Sequence, residues 1–80
     1  IHRADRLDEI MARLHGRAGE IVVFPLWPGP GIKLAKRVIV RARKETRAPL
    51  RLAPGLVLHT EDGAFTAQAD AVLRGAALRI

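Results

Sequence analysis

"EIVVFPLWPGPGIKLAKRVIVRARK", residues 20–44, decides how this chain folds. Ile21, Val22, Val23 and Phe24 make an unbroken apolar run, which predicts a strand over residues 20–24 buried on both faces. Pro25 carries no amide proton, so it is expected to end that strand or to lie on an unpaired edge. "WPGPG", residues 27–31, continues neither regular element, because Pro28 and Pro30 restrict φ and remove donors. A loop to about Ala35 follows. In "KRVIVRARK", residues 36–44, Val38, Val40 and Ala42 then alternate with Arg37, Ile39, Arg41 and Arg43. One face of that strand is apolar and the other mostly cationic. Two strands joined by a loop of roughly ten residues are most simply an antiparallel pair.

Upstream, "ADRLDEIMARLHGRAG", residues 4–19, predicts a helix from about Asp5 to His15. Leu7, Ile10, Met11 and Leu14 recur at helical spacing and form one apolar stripe. Asp5 is placed to cap the N-terminus, and Gly16 or Gly19 to end the helix in a left-handed conformation. Downstream, "ETRAPLRLAPG", residues 45–55, reads as an extended linker with two prolines. "LVLHTEDGAFT", residues 56–66, predicts a small hairpin around Asp62-Gly63, a favoured turn pair. Thr66 can cap a last helix, "AQADAVLRG", which Gly75 would terminate. Helix, strand pair, hairpin and helix make the class α+β for the chain taken alone.

Eighty residues with 49% apolar content make a globular chain rather than a disordered one. A chain of this length buries only about 60% of the surface its unfolded form exposes, so cover from another domain or a partner would stabilise it. It begins at Ile1 rather than at methionine, which suggests a segment whose functional site lies upstream. The net charge of +6 is concentrated. Residues 33–51 hold Lys33, Lys36, Arg37, Arg41, Arg43, Lys44, Arg47 and Arg51 against Glu45 alone, a net +7 that leaves −1 for the rest. Such a block suits a phosphate-bearing partner or, equally, a solvated face that keeps a small domain dispersed.

Several chemistries are excluded. Without cysteine there is no disulfide, no CxxC zinc site and no thiol nucleophile, which is compatible with the cytoplasm. Without serine there is no serine nucleophile. His2, His15 and His59 have no metal-ligand spacing, and no metal site is expected. Asp8 and Glu9 are adjacent and point to different sides of a helix, where they suit its positive end better than acid–base work. "GPG" in "WPGPGIK" lacks both phosphate-loop patterns and precedes a strand instead of opening a helix. No apolar run approaches the roughly 20 residues that span a bilayer, so no membrane role is expected. Trp27, beside basic residues, could stack on an exposed base or close the edge of a core.

Taken in order, "IHRADRLDEI", "VFPLWPGPG", "AKRVIVRARK", "APLRLAPGLVLH" and "GAFTAQADAVLR" resemble the C-terminal half of bacterial small-domain methyltransferases that use S-adenosylmethionine. The chain is similar to those members that methylate N6 of an adenine in a valine tRNA. "HRADRL", "PLWP", "KRVIVRARK" and "PGLVLH" carry most of the likeness, which covers nearly all of residues 1–80. The resemblance implies the α/β class, with a doubly wound sheet closed by an antiparallel sixth and seventh strand. Ile1 would be the stub of the fifth strand, residues 20–24 the sixth and 36–44 the seventh. It also places the glycine-rich cofactor loop and the Asn-Pro-Pro-Tyr type motif in the N-terminal half. Neither occurs in this sequence. No catalytic or cofactor-binding residue is therefore expected among residues 1–80, and the piece alone is expected to be inactive.

The implied partner is tRNA or another RNA, with Lys33, Lys36, Arg37, Arg41, Arg43, Lys44 and Arg47 as the contacting residues. A free-standing basic RNA-binding module and a structural or oligomerisation domain are the other readings. A glycine-rich loop and Asn-Pro-Pro-Tyr upstream of Ile1 would decide for the enzyme. With so little of the fifth strand present, one edge of residues 36–44 is expected to lack a partner and to favour self-association.

Overall fold

Residues 18–44 form the antiparallel pair that the alternation predicts. In the computed structural model, which describes residues 1–76, its strands are β2 (Ala18–Trp27) and β3 (Arg37–Lys44). A short β1 (His2–Arg3) leads through a 3-10 turn, Ala4–Arg6, into α1 (Leu7–Leu14). Beyond β3 come β4 (Arg51–Leu52), β5 (Leu56–Val57) and α2 (Ala67–Leu73). The sheet runs β1-β3-β2-β4, with β5 following β4 along the same edge of β2. Only β3 is antiparallel to its neighbours; β1, β2, β4 and β5 all point the same way.

Each face of the β2–β3 pair buries its own cluster. Ile21, Val23 and Val38 are buried on one face, with Val40 and Ala42 beside them, and Leu7, Met11 and Leu14 of α1 pack over them. Ile10 is not part of that cluster, so the apolar stripe of α1 is narrower than its spacing suggests. On the other face Phe24, Leu26, Leu56 and Ala69 are buried together, with Ile39 packed against them. That accounts for the unbroken apolar run in β2: its successive residues serve opposite faces, and both are covered.

Pro25 departs from expectation. It lies inside β2, opposite Val38, rather than ending it. Val23 and Trp27 accept hydrogen bonds from Ala53 and Leu58 through their carbonyls, so alternate residues of β2 face the β4–β5 edge. Pro25 shares that orientation. Phe24 and Pro25 there face the three residues Ala53, Pro54 and Gly55 between β4 and β5, where the ladder is interrupted and no donor is needed from Pro25. Gly55, at φ +88°, comes so close to the Pro25 carbonyl that any Cβ would overlap it. The indole Nε1 of Trp27 donates to the Pro54 carbonyl at 2.9 Å and ties the same crossing to the end of β2.

Three further corrections concern local signals. Asp5 does not cap α1; it sits in the 3-10 turn and pairs with Arg3 at 2.5 Å. Helical turns run from Ala4 to Leu14 and end at Gly16, whose φ is +76°. Gly19 serves a different purpose, since a Cβ there would overlap the backbone of Thr46. The stretch expected as a linker contains β4, which pairs in parallel with Val22 and Val23. Two residues are too few for a sequence signal.

The C-terminal signals hold. The turn at Asp62-Gly63 closes with the Thr60 N–H donating to Ala64, although His59 and Phe65 form only an isolated bridge. The Asp62 carboxylate accepts from the Thr60 hydroxyl and from the Ala64 N–H. The first of these, then the second, hold its pKa below the ordinary value. Their support for the turn is present above the unfolded carboxylate pKa and is lost as pH falls through the lowered one. Thr66 caps α2 by accepting from the Ala69 N–H at 3.1 Å, and Gly75 follows the helix at φ +106°.

Candidate nucleic-acid interface

The seven predicted RNA-contacting residues do not form one patch. β3 separates them along its length. Lys33, Lys36 and Arg37 lie at its start, whereas Arg43, Lys44 and Arg47 lie at or beyond its far end. At about 3.4 Å per residue, Arg37 and Lys44 are roughly 24 Å apart. The long dimension of the molecule is 42 Å, so the two groups occupy opposite ends of the sheet.

The first end is the carboxyl edge of the parallel strands. β1 ends at Arg3, β2 at Trp27 and β5 at Val57, and the loop 28–36 and segment 58–66 extend from that edge. Open α/β sheets bind ligands beyond this edge. The loop is anchored where the Ala4 N–H donates to the Lys36 carbonyl at 2.9 Å. Lys33 folds back over Gly29, and Arg37 donates to the Lys36 carbonyl at 3.2 Å. Between the anchors Ile32 and Leu34 are fully or almost fully exposed on either side of Lys33. Two shallow depressions share Pro30 and Val57. One, of about 330 Å³, includes Trp27 and Lys33, and the other, of about 560 Å³, includes His59 and Thr66. The His59 ring stacks on Phe65 at 4.8 Å, and its Nδ1 is buried without a hydrogen-bond partner among the described residues. Trp27 is half-buried and bonded to Pro54, so it closes the edge of the sheet.

Arg41, near the middle of β3, is half-buried, with its Nε enclosed and unpartnered among the described residues. Arg43 pairs with Glu20 at 3.5 Å. The register sets Arg41, Val22 and Arg51 abreast across three strands, on the face opposite α1. On the α1 side a depression of about 720 Å³ is lined by His15, Arg17, Thr46, Arg47 and Leu50, with Glu45 as its one carboxylate. Arg17 and Arg51 belong spatially to this end, although the sequence block does not include Arg17. Only the register of Ala18 against Lys44 brings residue 17 alongside residues 44–47.

Among solved structures, the chain is similar to part of a predicted O-methyltransferase from Agrobacterium tumefaciens. The TM-score is 0.86 and the identity 32% over 96% of this chain. The chain matches part of a methyltransferase fold. It spans 37% of the length of that protein. No protein-family model matches the chain, and no curated protein does.

The residues present do not fit a site for S-adenosylmethionine. Gly29 and Gly31 lie between two antiparallel strands, where no helix N-terminus follows to receive an anionic group, and Lys33 lies over Gly29. Among the described residues no three His, Asp or Glu side chains gather where they could hold a metal ion. No helix among them is long and apolar enough to cross a membrane.

Proposed function

We propose that this chain is the C-terminal segment of an S-adenosylmethionine-dependent methyltransferase that modifies RNA, with N6 of a tRNA adenine as the acceptor. The observation that carries the methyltransferase part of the reading is the match, at 32% identity over 96% of the chain, to part of a predicted O-methyltransferase. The RNA acceptor rests on the sequence resemblance. The segment supplies the closing strands of the sheet and part of its carboxyl edge. Lys33, Lys36 and Arg37 sit at that edge and would meet acceptor phosphates. The cofactor and the groups that hold the acceptor amine belong to the rest of the fold.

A second reading concerns the acceptor atom. The relative is named for transfer to oxygen, which favours a hydroxyl acceptor, whereas the sequence resemblance favours an adenine amine. Methyl-labelled S-adenosylmethionine and an unmodified tRNA transcript, incubated with the longer protein that carries this segment, separate the two. Nucleoside analysis is expected to find label in N6-methyladenosine. Label in a ribose oxygen supports the second reading, and no transfer to RNA removes the tRNA assignment.

The segment alone is also expected to pair with a second copy. β1 covers the outer edge of β3 at Arg37 and Val38, so the edge is not open along all of residues 36–44. Among the described residues no strand covers it from Ile39 to Lys44. An uncovered edge is a template for another strand, opposed here by the repulsion of Arg41 and Arg43. Light scattering should show mass rising with protein concentration. A concentration-independent monomer would discard the pairing.

A further inference from the structure

We infer that the amino edge of the sheet is a second phosphate-contacting surface, built to hold an RNA stem whose other end lies at the carboxyl edge. The inference rests on the RNA reading above and adds where, and over what length, the partner is gripped.

Four observations point there. First, Arg17, Lys44 and Arg47 come together at this end, where the register sets Ala18 against Lys44. Glu45 is beside them, and Glu20 is engaged by Arg43. Second, this charge is uncompensated: among the described residues Arg17, Lys44 and Arg47 make no ion pair. Third, the surface is concave. The depression of about 720 Å³ carries Arg17 and Arg47 on its wall. A ridge of phosphodiester backbone can enter it, whereas a flat bilayer cannot. Fourth, the separation excludes a small acceptor. Roughly 24 Å separates the ends of β3, so a single nucleotide reaches one end and a stem can reach both. Contacts of this kind read the shape of a duplex and set its register; they carry no base information.

The two ends then have different tasks. The carboxyl edge lies where a doubly wound sheet places its ligand. The amino edge grips the same RNA far from any chemistry and fixes how it lies.

Anisotropy of a labelled tRNA transcript, titrated with this chain at several salt concentrations, tests the division. Arg17, Lys44 and Arg47 are exposed, so Arg17→Gln/Lys44→Gln/Arg47→Gln should leave the thermal melt unchanged. It is expected to flatten the slope of log affinity against log salt by about 2 to 3, at roughly 0.7–0.9 for each phosphate that is no longer neutralised. Lys33→Gln/Lys36→Gln, at the other end, should flatten it by about 1.4 to 1.8 on the same basis. If only the second variant alters the slope, the amino-edge surface is wrong and the RNA reading stands. Failure of the unaltered chain to bind tRNA at low salt overturns both. Binding to phosphatidylserine vesicles with no binding to tRNA also overturns both and makes the partner a membrane surface.

Discussion

Gly55→Ala should destabilise the chain by about 2–5 kcal/mol, a conformational and a packing cost together. A Cβ at this position would overlap the Pro25 carbonyl oxygen and lie 2.9 Å from both Pro25 Cγ and Trp27 Nε1. Neither neighbour can withdraw easily, since Pro25 is locked in β2 and the indole is bonded to Pro54. The backbone at φ +88° adds about 1–2 kcal/mol for any residue with a side chain, and forced overpacking adds about 1–3. An 80-residue domain holds on the order of 4–12 kcal/mol in all. Gly63→Ala is the control: its φ is +87°, but a Cβ there meets open space. It should lose only about 1–2 kcal/mol, the conformational cost alone. Urea unfolding followed by circular dichroism distinguishes them. Equal losses would mean that β4 and β5 do not cross Pro25 as closely as described.

Phe24→Ala is expected to cost about 3–5 kcal/mol, the range for emptying a buried aromatic site. Phe24 is 6% exposed and joins Leu26, Ile39, Leu56 and Ala69, so its loss loosens β3, β5 and α2 together. Ile32→Ala, at a position with no burial at all, should stay within about 0.5 kcal/mol. Thermal melts of the two variants give the comparison. A Phe24→Ala melt close to that of the unaltered chain would mean that the face opposite α1 is not a core.

The parts of the fold with a strong local signal are legible in the sequence. Alternation in residues 37–43 marks β3, the unbroken run 21–24 marks a strand covered on both faces, and Thr66 marks the start of α2. What the sequence leaves hidden depends on pairing between distant segments. β4 is two residues long and exists because Val22 and Val23 present a free edge to it. Pro25 is tolerated in a central strand because the ladder is interrupted opposite it, at Ala53, Pro54 and Gly55, and nothing near residue 25 announces that. Asp5 has the right residue type for a cap, but Arg3 lies close enough to take its carboxylate. The basic block reads as one surface because its residues are close in sequence. An extended strand carries its ends far apart, and pairing brings Arg17 to the far end from outside the block. The depressions at the carboxyl edge combine loop 28–33 with residues 57–66, a juxtaposition that only the parallel pairing of β5 with β2 creates.

In the proposed function, residues 1–80 are a structural segment of a methyltransferase fold and the cofactor is bound elsewhere in that fold. Calorimetric titration of S-adenosylmethionine into this chain, and into the longer protein that carries it, tests this directly. The chain alone should give no saturable heat, because Gly29 and Gly31 lead into a strand and no other glycine loop opens a helix among the described residues. The longer protein should saturate at micromolar cofactor. Saturable binding by the 80-residue chain, or none by the longer protein, would contradict the account.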